Sequence, residues 1–427
     1  MKRKIISIIL LVTFVFLVSS FTVYANDEEV SVYLNNEKLE FDVKPAIINN
    51  RLMVPMRVIF EKLGATVEWD NETNTAYAMD HNNRKGVVVT VGESYISDYF
   101  MNTIPMDVSA ITENGRTLVP LRAVSEAFKC DVNWSREENA VNIYSEDFID
   151  YSNEREQDVV YASTIDELLN SIGSNKRIIL TSDYYNMYDA QNIENPCLEQ
   201  QLNWDDSCLT GYVIKDVINL TIEGNAEIAT NDIWADVLSF ENCGKITLKG
   251  LTVGHTEPLD EYRCEGAVTR FYNCENINID GCNLYGCGAF GIYADFVRNL
   301  NVTNSKIYDC SYTGIWLTNK SDAIVKNTEF FDSIHTSGFL RIDNSVIECL
   351  DCNIYNITCS DFGAFIDTFD FAYEPSEIKF TNCSFKNNTF DAITNDDSDK
   401  KIIFNDCIFQ DNMGNMQHPS VEYYTSN

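Results

Sequence analysis

Asp295, Asp367 and Asp370, with Arg270, Arg341 and His255, are the residues whose types could carry acid–base or anion chemistry in this chain. Two facing carboxylates with separated pKa values suit glycoside hydrolysis. An arginine beside cation-binding acids suits elimination from an acidic sugar instead. Each residue also has a plainer role: a lone aspartate on a β-coil serves a turn or meets solvent, and His255, directly after Gly254, suits a turn partner. No Ser-His-Asp order, phosphate-cradling glycine loop or zinc spacing is present. A second set is aromatic. If Ile292 and Ala294 point inward on a strand, Tyr293 and Asp295 point out. The same phase exposes Trp316 with Thr318, and Phe365 with Asp367. Stacked strands would align Tyr293, Trp316, Leu340 and Phe365 into an apolar stripe suited to sugar rings, or to packing under a loop. Simple alternation would bury Arg341.

The elements that must position these residues repeat. Seven times between Ile246 and Phe409, two apolar residues alternate with polar ones, a small residue follows three positions on, and another apolar residue closes the unit. Examples are Ile277, Ile279, Cys282, Leu284 and Ile378, Phe380, Cys383, Phe385. Most steps are near the length of one solenoid turn. Period two inside each unit argues strand, and the small residue turns the chain at a corner. Asn304, Asn327, Asp351, Asn382 and Asp406 precede corners and tolerate a left-handed backbone. A leucine-rich solenoid would need recurrent Leu and a helical segment, so a right-handed parallel β-helix is expected. Before it, Thr164 with Glu167 opens an amphipathic helix whose Ile165, Leu168, Leu169 and Ile172 can cover the open end of the coils.

Lys2, Arg3 and Lys4 precede the apolar stretch from Ile5 to Val18, and Val23-Tyr24-Ala25 follows as a cleavage site. Residues 1–25 therefore read as a secretory signal, with a retained anchor as the rival. No further span is expected after its cleavage. The 427 residues hold 65 acidic and 31 basic side chains, a formal charge of −34. Such a chain repels nucleic acid. Acidic runs at Asp205-Asp206 and at Asp396, Asp397 and Asp399 make calcium the candidate cation, although no residue set is assigned to a metal. Of the fourteen cysteines, Cys282, Cys352, Cys383 and Cys407 share one register position and read as small apolar residues stacked inside the coils. Cys197 and Cys208 lie outside that ladder and form the candidate disulfide.

Residues 51–69 and 116–134 match at an offset of 65: Arg51, Val54, Pro55, Arg57, Glu61, Val67 and Trp69 recur as Arg116, Val119, Pro120, Arg122, Glu126, Val132 and Trp134. Each copy predicts a strand, a helix opened by Pro, and a second strand ending at Trp. Arg57 with Glu61, and Arg122 with Glu126, are one helical turn apart and can pair. This duplicated pattern resembles the copper amine oxidase N-terminal-like, or stalk, domain of secreted proteins of Gram-positive bacteria. The resemblance implies a non-catalytic spacer or surface module. Oxidase chemistry needs a trio of histidines on copper and a tyrosine-derived quinone. The four histidines here, His81, His255, His335 and His418, are scattered, so copper is not expected. Residues from about 160 to 412 resemble the pectate-lyase-like superfamily of β-helix proteins, which implies the fold well ahead of any activity.

The fold class expected is mainly β: a small duplicated α+β N-terminal domain plus a right-handed parallel β-helix. The expected divisions are a signal at 1–25, the stalk domain at 26–146, a polar linker at 147–159, the β-helix at 160–415 and a polar tail at 416–427. The functional expectation is a secreted or extracellular bacterial protein, with cell-wall association an option, whose β-helix engages a polysaccharide or cell-surface glycan. The alternative is a polysaccharide lyase or glycoside hydrolase acting on the coil face. Catalytic candidates are His255, Arg270, Asp295, Asp367 and Asp370; glycan-binding candidates are Tyr293, Trp316 and Phe365.

Overall fold

The computed structural model describes residues 30–80, 85–136, 138–202, 209–232, 234–256, 266–286, 289–335, 337–359, 363–369, 376–395 and 400–425. The signal segment, Asp370, Cys208 and both acidic runs lie outside the described residues. No helix among the described residues is long and apolar enough to cross a membrane. Packing divides the chain into two compact units, residues 1–146 and 147–427.

In the first unit, the two copies meet strand to strand. Arg51–Pro55 and Arg116–Pro120 pair antiparallel, with Val119 opposite Val54. Helices Met56–Lys62 and Leu121–Ala127 follow directly, each with its proline in the capping place just before the first turn. Each then leads into a strand carrying the tryptophan, Thr66–Asp70 or Asp131–Ser135. Gly64 adopts φ +86° just after the first helix, a conformation that costs glycine no steric strain. The core gathers Val54, Ile59, Phe60, Val119, Val124 and Phe128.

In the second unit, parallel strands stack coil upon coil. Ile246, Ile277, Leu300, Ala323, Ile347, Ile378 and Ile402 stand in one register column, as the repeat predicts. All seven are buried, because alternate residues on each strand face the interior. Asn304, Asn327, Asp351, Asn382 and Asp406 all take positive φ, between 49° and 55°. The helix Ile165–Ser171 caps the column: the Thr164 side chain accepts from the Glu167 N–H at 3.2 Å, and Glu167 accepts from the Ser163 N–H at 2.7 Å. Its Ile165, Leu168 and Leu169 join the same core as the coils.

The cysteines of the corner column pack in the coil core as expected, and the column is hydrogen-bonded as well. Cys282, Ser305, Thr328, Cys352, Cys383 and Cys407 follow one another there, and their S–H or O–H groups donate to the carbonyl two residues back. Several also accept the backbone N–H of the preceding corner: Ser305 Oγ from Cys282 at 3.1 Å, and Cys383 Sγ from Cys352 at 3.4 Å. The corner therefore needs a small donor–acceptor side chain, since turning the backbone leaves polar groups outside the strand ladders. Thiol and hydroxyl both serve.

Candidate functional site

Each full coil carries a third strand, and those of five successive coils build one outward column. Arg270 stands opposite Tyr293, Tyr293 opposite Trp316, Trp316 opposite Arg341, and Arg341 opposite Asp367. Their strands are Ala267–Asp280, Phe290–Thr303, Thr313–Thr318, Leu340–Ile342 and Ala364–Asp367. With strands about 4.8 Å apart, the two arginines are separated by about 14 Å at the backbone.

The column is a continuous stack. The Arg270 guanidinium lies 4.6 Å from the Tyr293 ring centroid, Tyr293 meets Trp316 edge-on at 4.9 Å, and Arg341 lies 4.5 Å from the Trp316 ring. Phe290 widens the platform, 5.5 Å from Tyr293 and 5.2 Å from Trp316, and Tyr312 lies 6.3 Å from Trp316.

Carboxylates hold this stack from beneath and beside. Buried Asp236 pairs with Arg270 at 2.5 Å and accepts the Ala267 N–H at 2.8 Å. Asp343 accepts from Arg341 at 3.0 Å, from the Trp316 indole N–H at 2.9 Å and from the Phe369 N–H at 2.7 Å. Burial raises the Asp343 carboxyl above its ordinary value, and the charge and hydrogen bond of Arg341 oppose that rise. Asp367 accepts from Ser337 at 2.7 Å and Asn395 at 2.8 Å. Asp295 is different. Burial raises its carboxyl, and only Asn319 (2.7 Å), Tyr293 and the nearby Arg270 charge favour its ionised form. Burial also pushes the Tyr293 hydroxyl up to about 12.

The structure thus gathers Arg270, Asp295, Asp367, Tyr293 and Trp316 on one face. The expectations for Phe365, Leu340, Arg341 and His255 are corrected. Phe365 is buried, with its ring 4.5 Å from Phe339 and 4.6 Å from Phe390, and faces no ligand. In its coil Phe365 and Ile366 both turn inward, as Phe339 and Leu340 do one coil earlier. Two successive inward residues shift the phase by one, so Arg341 takes an outward place and Leu340 is buried, while Asp367 faces outward as expected. His255 is also buried and stands apart from the column: its Nε2 meets the Ala235 carbonyl at 2.8 Å, and burial lowers its pKa. Gly286 makes room for it; a Cβ there would stand 2.6 Å from the His255 carbonyl. Asp236, Asp343, Phe290 and Tyr312 were not singled out from the sequence. The 25-residue step from Trp316 to Arg341, against 23 from Tyr293 to Trp316, was the available signal.

Among the described residues, no group of three or more His, Cys, Asp or Glu is placed to hold a metal ion. The pairing of Cys197 with Cys208 involves a residue outside the described set.

Residues 33–143 match the family model of the copper amine oxidase N-terminal domain. Two overlapping stretches, 215–368 and 266–418, match that of the right-handed β-helix region. The chain joins a copper amine oxidase N-terminal domain to a right-handed β-helix. No curated protein matches it. Among solved structures, an alginate lyase from Paenibacillus is 13% identical, with a TM-score of 0.32 over 63% of this chain and 98% of its own. A surface adhesin of Streptococcus pneumoniae is 12% identical, with a TM-score of 0.30 over 65% and 77%. A polygalacturonase from Erwinia carotovora is 12% identical, with a TM-score of 0.36 over 64% and 97%. Likeness at that level carries no argument about the activity of this β-helix.

Proposed function

We propose that the outward column of the β-helix binds a polysaccharide or cell-surface glycan in an extracellular setting, with the N-terminal domain as a non-catalytic module. The observation that carries this reading is the aromatic platform of Tyr293 and Trp316, widened by Phe290 and walled at either end by Arg270 and Arg341. Apolar faces bordered by a few fixed polar groups suit sugar rings and their hydroxyls. A column that repeats every coil suits a ligand that repeats too.

Hydrolysis or elimination is the second reading, and Asp295 is the observation in its favour: a carboxyl raised by burial, beside an arginine and a tyrosine. Against it, the neighbouring acids are already committed. Asp236 holds Arg270, Asp343 holds Arg341 and Trp316, and Asp367 holds Ser337 and Asn395. Among the described residues of this column, Asp295 therefore has no second uncommitted carboxylate to share acid and base roles.

A glycan array with the intact protein and its Trp316→Ala variant tests binding. Loss, in the variant, of at least one glycan that the wild-type protein retains is expected; an unchanged binding profile removes the column from the proposal. Release of reducing ends or unsaturated sugars from any bound glycan would replace binding with catalysis.

A further inference from the structure

The duplicated N-terminal domain carries two grooves, and they are copies of each other. One, about 700 Å³, places Pro120, Leu121, Arg122, Val132 and Trp134 of the second repeat against Arg51 of the first. The other, about 380 Å³, places Pro55, Met56, Arg57, Val67 and Trp69 of the first repeat against Arg116 of the second. The antiparallel pairing about Val54 and Val119 accounts for the exchange, because it brings each repeat's leading arginine beside the other repeat's helix. Both volumes fall in the usual range for ligand pockets, about 300–1,000 Å³.

The copies differ in what they leave open. In the smaller groove Arg57 is satisfied internally, by Glu61 at 3.1 Å and the Val67 carbonyl at 3.1 Å, and the Trp69 indole N–H donates to Asn71 at 2.9 Å. In the larger groove the expected Arg122–Glu126 pair is not formed, and among the described residues neither those side chains nor the Trp134 indole N–H has a partner. Trp134 is 45% exposed, against 36% for Trp69.

We propose that the larger groove is a binding site for a neutral, hydroxyl-rich glycan chain, separate from the β-helix column. The charge inventory selects that ligand. Arg51 and Arg122 are balanced by Asp107 and Glu126, so a strongly anionic or cationic chain gains no net attraction. Arg51 is already held by Asp107 at 2.8 Å. The open Arg122, Glu126 and Trp134 Nε1 offer donors and an acceptor together, which matches hydroxyl groups that both give and take hydrogen bonds. The exposed indole and the apolar floor of Leu121 and Val132 supply the stacking surface.

The test uses the full chain carrying Trp316→Ala, so that the β-helix column is disabled. Titration calorimetry with neutral hexasaccharides of β-1,4-linked glucose, xylose and N-acetylglucosamine, and with an oligogalacturonate as the anionic probe, reads out the groove. The expected result is binding of at least one neutral chain in preference to the oligogalacturonate, weakened about tenfold or more by Trp134→Ala and by Arg122→Gln. Trp69→Ala, the matched change in the internally satisfied copy, leaves it within about twofold. Trp134→Phe, which keeps a ring and lacks the N–H, retains part of the affinity and guards against a folding artefact. Absence of neutral-chain binding, preference for the oligogalacturonate, or equal losses from Trp69→Ala and Trp134→Ala would each overturn the proposal. Because Trp316 is already replaced, the outcome is independent of whether the column binds glycan.

Discussion

Arg341 and Trp316 are locked together through a shared carboxylate: the guanidinium lies 4.5 Å from the ring centroid, while both residues donate to Asp343, at 3.0 Å and 2.9 Å. A cation and an indole from adjacent coils are thereby held at one height on the face. Their geometry is set before any ligand arrives, which reduces the ordering cost of binding.

Replacing Arg341 with Gln should expose the electrostatics of that lock. Burial already raises Asp343, and losing the arginine raises it further. A carboxyl raised in the folded state takes up more protons there than in the unfolded chain, so its ionisation lowers stability as pH climbs above 3.8 through the raised value. Arg341→Gln should therefore be destabilised by about 3 kcal/mol at pH 7. The deficit should shrink as pH falls towards 3.8. Thermal or urea unfolding at a series of pH values checks this, and a deficit independent of pH would reject it.

Asp295 predicts the opposite sign. Its carboxyl is raised by burial, with Asn319 at 2.7 Å and Tyr293 as its side-chain partners. Asp295→Asn keeps an acceptor for Asn319 and removes the cost of an ionised buried group. The variant should match the wild-type protein near pH 3.8 and exceed its melting temperature at pH 7. A lower melting temperature at pH 7 would mean that attraction to Arg270 outweighs desolvation.

Phe365 and Tyr293 separate packing from recognition. Phe365→Ala opens a hole between Phe339 and Phe390 and should cost about 3–5 kcal/mol. Glycan retention by the folded fraction should be unaffected. Tyr293→Ala should cost less stability and lower retention. Denaturant melts paired with the glycan array distinguish the two, and a selective loss of retention in Phe365→Ala would contradict the packing role.

The corner column makes a chemical prediction. Because Ser305 and Thr328 occupy the same place as Cys352 and bond the same carbonyl position, Cys352→Ser should stay within about 1 kcal/mol of the wild-type protein. Cys352→Val removes the donor and leaves buried carbonyls unanswered, which should cost about 1–3 kcal/mol more. Equal stability of the two variants in urea would show that the thiol acts by volume alone.

How much of this was written in the sequence can be read residue by residue. The strand period, the left-handed corners at Asn304 to Asp406 and the Thr164 cap are local properties: pleat geometry, backbone preference and a side chain reaching three residues ahead. They appear in the chain itself. The duplication in the N-terminal domain was equally visible, but its consequence was not. Only pairing of the two repeats places Arg51 beside Pro120, and Arg122 without Glu126 is a matter of side-chain geometry that an i, i+4 spacing cannot decide.

Sequence alone determined that coils stack and that the apolar residues of the repeated register, such as Ile277, Ile347 and Ile402, line their interior, because that follows from alternation within a strand. Tertiary structure alone decided which residues share the outward face. Each coil's corners can absorb one residue more or fewer, and a one-residue shift exchanges inside for outside. That shift put Arg341 and Asp367 in line with Trp316 and sent Phe365 and Leu340 into the core. His255, on a separate strand, is buried beside Ala235.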